Sequence, residues 1–564
     1  MSVMEFAANE SAKAVVEKWQ ELFVGEDRAR HIVAAVAIVI AIAAFASWLN
    51  GGSKPRRLPE GIPFVTNTLQ YLVDNKRFME KATDALSGRN IAQFYLGGVP
   101  VYLISGVQNI QMLFGRGHKV GSEDIFVQKV LPRLYKMPPH HVSRFANDKS
   151  GRGKVPAPGY EDTPPEKRYW QQYEHVHTEY LSRTQYMKPV IEVFSEHLSE
   201  RLEKFPVGEL STISVMDFCK REIARVAMST LLGPTIFKLN PGFLDAFWEF
   251  DENVFMLTLG FPKWLYPRPY NVHDRYIAMV KNYVDSAFQN FDWDGPGAEA
   301  AWEPHFGARA CREIAKWLRD GDFLDTSIAG ALGSLVFAQN SNTIPTAIWT
   351  IMEVAKDPEL FQAVREEVSG CWTTDAATGA RGLDVQKVST SPLLQSVLAE
   401  TLRLRTNFNI IRQAKEPLTI DGHAIRKGTM LQAPMMVAHY DEAVWGAPGH
   451  PAAEFWADRH IKHVEVADDA GRVVRKRTFA MAGRPSSYFP FGGGAPICPG
   501  RHFAKHEIMT MIGLIVSRFD IEKVEWTKLD GSPSDRMAYN DQRFCGGGGM
   551  PPDRDLKITW RRLW

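Results

Sequence analysis

The sequence predicts a mainly α-helical protein with a small β-sheet region, preceded by one N-terminal transmembrane helix. Three observations predict it: long stretches with apolar residues at three- and four-residue steps, very few strand-like segments, and one uncharged apolar run near the start. The helical spacing covers residues 190–205, 211–231, 324–355, 358–368 and 392–405. The early strand signal is FYLGGVPVYLI, residues 94–104, two apolar runs around Gly97-Gly98 that read as a hairpin.

Residues 1–31 form a tail in which Ala12, Val15, Val16, Trp19, Leu22 and Phe23 recur at helical spacing, suited to lying on a membrane surface. Residues 32–49, IVAAVAIVIAIAAFASWL, carry no charge and reach about 27 Å as a helix, near the thickness of a hydrocarbon core. A membrane span follows, with a buried core helix as the alternative. The long tail and the lack of a small-x-small cleavage site argue against a signal peptide. Basic residues are balanced around the span (Lys18, Arg28 and Arg30 before; Lys54, Arg56 and Arg57 after), so charge gives no orientation. The acceptor Asn9-Glu10-Ser11 suits a lumenal tail and a cytosolic body. Residues 50–63, rich in Gly, Pro and basic side chains, read as a linker, and residues 64–564 as the catalytic domain. The polar segment 147–168 reads as an exposed loop.

At 564 residues the chain can bury a large core, and 66 Lys plus Arg against 65 Asp plus Glu leave a net charge of +1. No field favours nucleic acid. The five cysteines form no C-x-x-C pair, which excludes a disulfide framework or zinc cluster and points to a reducing compartment.

One cysteine stands apart. In FPFGGGAPICPGRHFAKHEI, Cys498 follows three glycines and precedes a helix marked by Ala504, Ile508, Ile512 and Ile515. The unpaired amides of that helix favour a thiolate, and glycines let a flat partner approach. A thiolate so held is an axial haem ligand; an inert buried cysteine is the plain alternative. Cys545, in FCGGGGMPP, has no helix behind it and reads as inert, its glycines as a turn near the C-terminal hairpin.

Upstream, Glu400 and Arg403 lie at i and i+3 on one helix face, flanked by Leu394, Val397, Leu398 and Leu402 that argue for burial. Residues 324–355 are apolar except for Gln339–Thr343, with Asp325-Thr326-Ser327 as capping residues. Pro345 frees the Ser341 carbonyl from its helical partner, at roughly 3 kcal/mol if uncompensated. A polar patch with a free carbonyl is a candidate proton and oxygen site, and a water-filled kink is the alternative.

The run Phe491, Gly494, Cys498 and Gly500 fits F-x-x-G-x-x-x-C-x-G, and the chain thereby resembles the cytochrome P450 superfamily. It is closest to the branch of sterol 7α- and 12α-hydroxylases and prostacyclin synthase, through N-T-I-P at 342–345, NIIRQAKEPLTI and DQRFCGGGGMPP. The resemblance implies the P450 fold and haem b with Cys498 as the metal ligand. Phe491, Gly494 and Gly500 belong to that cofactor site. It implies that Arg459, in FWADRHI, joins Glu400 and Arg403 as a structural lock, although Ala457 and His460 replace the usual Pro and aromatic. Ser341, Asn342 and Thr343 take the place of the acid–alcohol pair that delivers protons, so the carboxylate is missing. Glu174 stands where W-x-x-x-R, begun by Trp170, has its arginine; Pro496 replaces a common basic residue; Arg412 is the substitute propionate partner. His175 and His177, on different helix faces, are ordinary histidines.

The implied activity is monooxygenation of an apolar, polycyclic substrate (sterol- or terpenoid-like, or a specialised metabolite) at the endoplasmic reticulum membrane. Electrons come from NADPH through cytochrome P450 reductase. The cluster Arg472, Arg475, Lys476, Arg477 and Arg484 either docks that acidic partner or is a solvated loop. Two other readings stay open: a haem-thiolate isomerase or dehydratase acting on an oxidised lipid without a reductase, and a non-catalytic haem-binding membrane protein.

Overall fold

Gly97 and Gly98 turn the chain as the sequence predicts. Both have positive φ (57° and 87°), and they join strand β2 (Ile91–Leu96) to β3 (Val99–Ile104) in an antiparallel hairpin with Leu96 opposite Val99. The computed structural model describes residues 55–115, 119–374, 379, 381–467, 472–481 and 486–564. The tail, the predicted span at 32–49 and the first part of the linker lie outside the described residues. Among the described residues no helix is long and apolar enough to cross a membrane.

The end of the predicted linker belongs to the folded body. Arg56–Arg57 form β1, which runs parallel to β2, and the Arg57 guanidinium pairs with Glu60 and lies over the Phe64 and Tyr95 rings. The remaining strands of this sheet are β4 (Val120–Gly121), β5 (Thr406–Ala414), β6 (Met430–Pro434) and β7 (Gly547–Gly549), in the order β1-β2-β3-β6-β5-β7, with β4 against the far end of β5. The sheet thus sets the C-terminal glycines beside residues from the middle of the chain.

Helices make up most of the rest. Five position the site: α1 (Tyr169–Ser182), α2 (Phe243–Leu259), α3 (Asp325–Ala355), α4 (Pro392–Arg405) and α5 (Arg501–Arg518). The bounds of α4 match the sequence reading. α3 begins where expected but without a side-chain cap: Leu324 is its N-cap and Asp325 already lies inside the first turn. Pro345 sits within α3 and the helix continues past it. From His506 to Val516, α5 is buried on every side, not on one stripe as its spacing suggests, because neighbouring helices pack all round it.

The predicted helix 211–231 is half right. Leu210–Ser214 is a strand, paired with Asp555–Arg562 so that Ile213 faces Ile558, and Ser214 then caps the helical turn that follows. The adjacent β-branched residues Thr212 and Ile213 met a partner strand from the distant end of the chain there, which overrode the local helical spacing. The loop 147–168 is mostly exposed but wraps one buried arginine, Arg168, which donates to the carbonyl of Lys154 (2.8 Å) and to Ser150 Oγ (3.3 Å).

Candidate active site

Backbone hydrogen bonds fold the cysteine loop onto itself: Gly492 N donates to the Phe489 carbonyl (2.8 Å), Cys498 N to the Phe491 carbonyl (3.0 Å) and Ile497 N to the Gly494 carbonyl (3.2 Å). Helix α5 starts directly after Gly500, and Ser182 at the end of α1 clamps the loop by donating to the Pro499 carbonyl (2.7 Å). The Cys498 sulfur lies in the wall of a cavity of about 510 Å³ enclosed by this loop, α3, α4 and β5.

The sulfur meets opposing influences. Burial pushes its thiol up, and only in part do the Gly500 and Arg501 amides and the Arg501 charge pull it down. The amides at the start of α5 do favour the thiolate as expected, but desolvation outweighs them, and a bound metal cation would be what displaces the proton. Cys545 is inert as expected, its thiol pushed up to about 12 by burial, and it accepts from Asn407 Nδ2 at 2.8 Å. Of the glycines after it, Gly546 lies in a turn as expected, and Gly547–Gly549 instead form β7, which pairs with Thr406–Phe408.

The glycines before Cys498 serve a different neighbour from the one expected. A Cβ on Gly493 would stand 2.5 Å from the Phe114 ring, and one on Gly494, whose φ is +74°, 2.8 Å from the Phe114 carbonyl. Their missing side chains make room for Phe114, whereas Phe491, Gly492 and Gly500 line the cavity. A Cβ on Gly500 would meet only the sulfur, at an ordinary 3.9 Å. Gly494→Ala is expected to cost at least about 1–2 kcal/mol for the left-handed backbone alone, read as a lower melting temperature and faster loss of the bound cofactor.

Glu400 and Arg403 are wholly buried, and Arg403 binds Glu400 through two bonds of 2.8 and 2.7 Å. Arg459 Nε donates to Glu400 at 2.7 Å and its Nη2 donates to the carbonyls of Pro451 and Glu454 (2.9 Å each). His460, a departure from the family pattern, also reaches Glu400 at 3.3 Å. Burial alone would raise the Glu400 carboxyl, but bonds from Arg403, His460 and Arg459 hold it down at about 2.

Sequence reasoning missed the link from this cluster to the cysteine loop. Arg403 donates to the His439 carbonyl (2.6 Å), His439 Nδ1 donates to the Arg403 carbonyl (3.0 Å), and His439 Nε2 accepts from Phe489 N (3.1 Å). The two bonds fix one neutral tautomer, and burial pushes the imidazole down to about 3. A histidine flanked by Ala438 and Tyr440 carries no spacing signal for such a role.

On α3, Asn342 and Thr343 line the cavity and Ser341 lies just outside it. Asn342 Oδ1 accepts from Gly549 N (3.1 Å), so β7 ties the helix to the sheet. Gln339, also in the wall, donates to Glu507 (3.2 Å). No Asp or Glu is among the described residues of the wall. His177 lines it too; Nδ1 donates to the Tyr173 carbonyl (2.8 Å) and burial pushes the ring down to about 4, which keeps it neutral. His175 is exposed.

Arg412 donates to the Gly493 (3.0 Å) and Ile411 (2.9 Å) carbonyls and borders both this cavity and a neighbouring cleft of about 750 Å³. In that cleft Arg152, also missed, pairs with Glu123 (3.2 Å) and Glu174 (3.3 Å) and covers the Trp170 ring. Glu174, in the family's arginine position, thus draws in an arginine from a loop. The Trp170 indole donates to the Phe145 carbonyl (2.9 Å). Of the basic cluster, Arg472, Arg475, Lys476 and Arg477 lie on or beside an exposed two-stranded ribbon, Ile461–Ala467 with Val473–Phe479; Arg484 lies outside the described residues.

These residues fit a haem: a cysteine in the wall of a mostly apolar cavity, with Arg412 where that cavity meets the neighbouring cleft, a cation suited to a haem carboxylate. The family model for cytochrome P450 matches residues 56–535. The chain is 41% identical to cytochrome P450 monooxygenase calL of Penicillium decumbens over 94% of this chain and 97% of that one. It is 31% identical to the cholesterol 7-alpha-monooxygenase of Cricetulus griseus over 40% and 44% of the two chains. A solved structure described as retinoic acid bound cyanobacterial CYP120A1 shares the fold, with a TM-score of 0.61 at 17% identity over 90% of this chain and 99% of that one. With the family model spanning the helical body and its cysteine loop, the chain belongs to the cytochrome P450 family of monooxygenases.

Proposed function

We propose that the protein is a membrane-anchored haem-dependent monooxygenase that hydroxylates an apolar, polycyclic substrate, a sterol, a terpenoid or a specialised metabolite built like them. It uses O2 and electrons delivered from NADPH by a flavoprotein reductase at the endoplasmic reticulum. The observation that carries this reading is the Cys498 sulfur in the wall of a mostly apolar 510 Å³ cavity. The similarity to a cholesterol 7-alpha-monooxygenase supports the substrate class.

When bound, the haem supplies the activation of O2 that lets an unreactive C–H bond be oxidised. The chain's own residues do the rest. Cys498 would ligate the iron, and Arg412, which borders the same cavity, would hold a haem carboxylate. Leu335, Ala338 and Phe337 of α3 exclude water and orient an apolar substrate, while Asn342 and Thr343 offer polar atoms in the wall. The exposed ribbon with Arg475, Lys476 and Arg477 docks the acidic reductase.

The absence of any acid in the described wall favours a second reading, an isomerase or dehydratase that rearranges an oxidised lipid without a reductase. One experiment separates the two. Full-length protein is mixed with reductase, NADPH and, in turn, cholesterol, ergosterol and lanosterol. A monooxygenase consumes NADPH in step with hydroxylated product, whereas an isomerase turns over a lipid hydroperoxide with no NADPH at all. NADPH use that no sterol stimulates would sink the proposed substrate class.

A further inference from the structure

The polar patch on α3 has a carboxylate beside it, brought by a different helix. Asp251 lies on α2, which packs on α3 with the Phe250 and Phe337 ring centroids 5.6 Å apart. Its Oδ1 atom is buried and has no hydrogen-bond partner among the described residues, yet the residue as a whole stays partly open to solvent. The Ser341 side chain, on the facing helix α3, is near enough to pull its carboxyl down. Ser341 is also the residue whose carbonyl Pro345 leaves without an amide donor. The next two residues, Asn342 and Thr343, line the cavity.

We propose that Asp251 is the acid that supplies protons to the cavity, through Ser341, in place of the carboxylate that α3 lacks. This rests on the monooxygenase reading, since an isomerase needs no net proton supply. The proton on the Asp251 carboxyl passes to the Ser341 oxygen as the Ser341 hydroxyl proton leaves toward a water beside Thr343. The Asp251 carboxylate then takes a proton from solvent at its open side. No electrons move in this relay, and the reductase supplies those that the overall reaction consumes.

The surroundings suit a group that both binds and releases a proton near neutral pH. Burial raises the carboxyl to about 6, while Ser341 and Lys220 pull it down and Glu252 pushes it up. Lys220 comes from the turn Cys219–Ile223, and Glu252 is on α2 itself within the field of Arg543. Tyr276, from the helix Arg268–Asn290, feels the Asp251 charge but donates its hydroxyl to the Gly333 carbonyl (2.9 Å). Glu507 is the rival acid: it is wholly buried, raised to about 8 by burial, and bonded to Gln339 of the cavity wall. It has no open side from which to recover a proton.

The test uses full-length holoprotein, reductase, NADPH and whichever panel sterol the wild type hydroxylates. Asp251→Asn is expected to lower coupled turnover at least about tenfold, the low end of general acid catalysis, and to raise the hydrogen peroxide released per NADPH. Its turnover also loses the decline that the wild type shows as pH rises through about 6. The carbon-monoxide spectrum stays that of the wild type. Independently of activity, infrared difference spectra across that pH range show a carboxylic-acid band that Asp251→Asn lacks and Glu507→Gln keeps. Ser341→Ala reproduces the loss of coupling and retains the band. Unchanged coupling in Asp251→Asn, or a band that vanishes with Glu507, overturns the inference alone. A wild type that turns over a lipid hydroperoxide with no NADPH overturns the monooxygenase reading and this inference with it.

Discussion

Cys498→Ser is expected to remove the thiolate signature from the carbon-monoxide difference spectrum completely, and with it NADPH-supported turnover, by at least about a hundredfold or about 3 kcal/mol in barrier. The reason lies in the balance at the sulfur. Burial disfavours an anion there, and the Gly500 and Arg501 amides compensate only in part. A thiol would still lose its proton to solvent as the sulfur bonded a cation, whereas an alcohol in the same place resists far more strongly and donates less electron density. The loop itself should survive, because the backbone bonds that close it and the bonds from Ser182 and Arg412 all end on backbone carbonyls, not on the sulfur. Cys545→Ser is the control: that sulfur is covered by β7 and Asn407 and lies away from the cavity, so its variant keeps the wild-type band. A full thiolate band in Cys498→Ser would assign the iron to another ligand.

How far the molecule was legible in its sequence depended on whether the information was local. The hairpin at Gly97-Gly98, the bounds of α4 and the cysteine loop are each specified by residues within a few positions of one another, and each could be read. The strand Leu210–Ser214 could not, because its identity comes from Asp555–Arg562, over three hundred positions away in the chain. The same holds in the site. Glu400 and Arg403 announce themselves by spacing, but His439 matters only because one guanidinium, one carbonyl and one amide converge on it from distant segments. Arg152 is drawn in by Glu174, a residue whose sign alone looked like a defect. The glycines were recognised as a close approach, but the partner, Phe114, was not, since nothing in FGGG says which face a neighbour will take. Asp251 illustrates the limit from the other side: the patch Gln339–Thr343 of α3 does lack an acid, and only packing shows that α2 carries one against that helix.

Glu400→Gln is expected to destabilise the folded protein by about 3–5 kcal/mol, seen as a large fall in melting temperature and in the yield of haem-loaded protein. The carboxylate is the only anion facing two guanidiniums whose side chains are 0% and 2% exposed. An amide leaves both charges unpaired in the interior and turns a donor toward one of them. Arg403→Lys is no substitute, because a lysine cannot make both Glu400 bonds and the His439 carbonyl bond from one planar group. The same cluster sets the acid limit of the wild type. Glu400 is held near 2 when folded and titrates near 4.5 when unfolded, so its contribution, about 3 kcal/mol, is complete above pH 4.5 and is lost as pH falls toward 2. His439 is buried neutral, near 3 against 6.5, so its contribution is complete above pH 6.5 and begins to be lost below it. Melting temperature should therefore decline in two stages on acidification, first below pH 6.5 and then more steeply below pH 4.5. In His439→Phe the first stage should shrink, while the lost Phe489 and Arg403 bonds lower stability at every pH. A Glu400→Gln protein that melts within a degree of the wild type and keeps its haem would show that the cluster does not hold the cysteine loop in place.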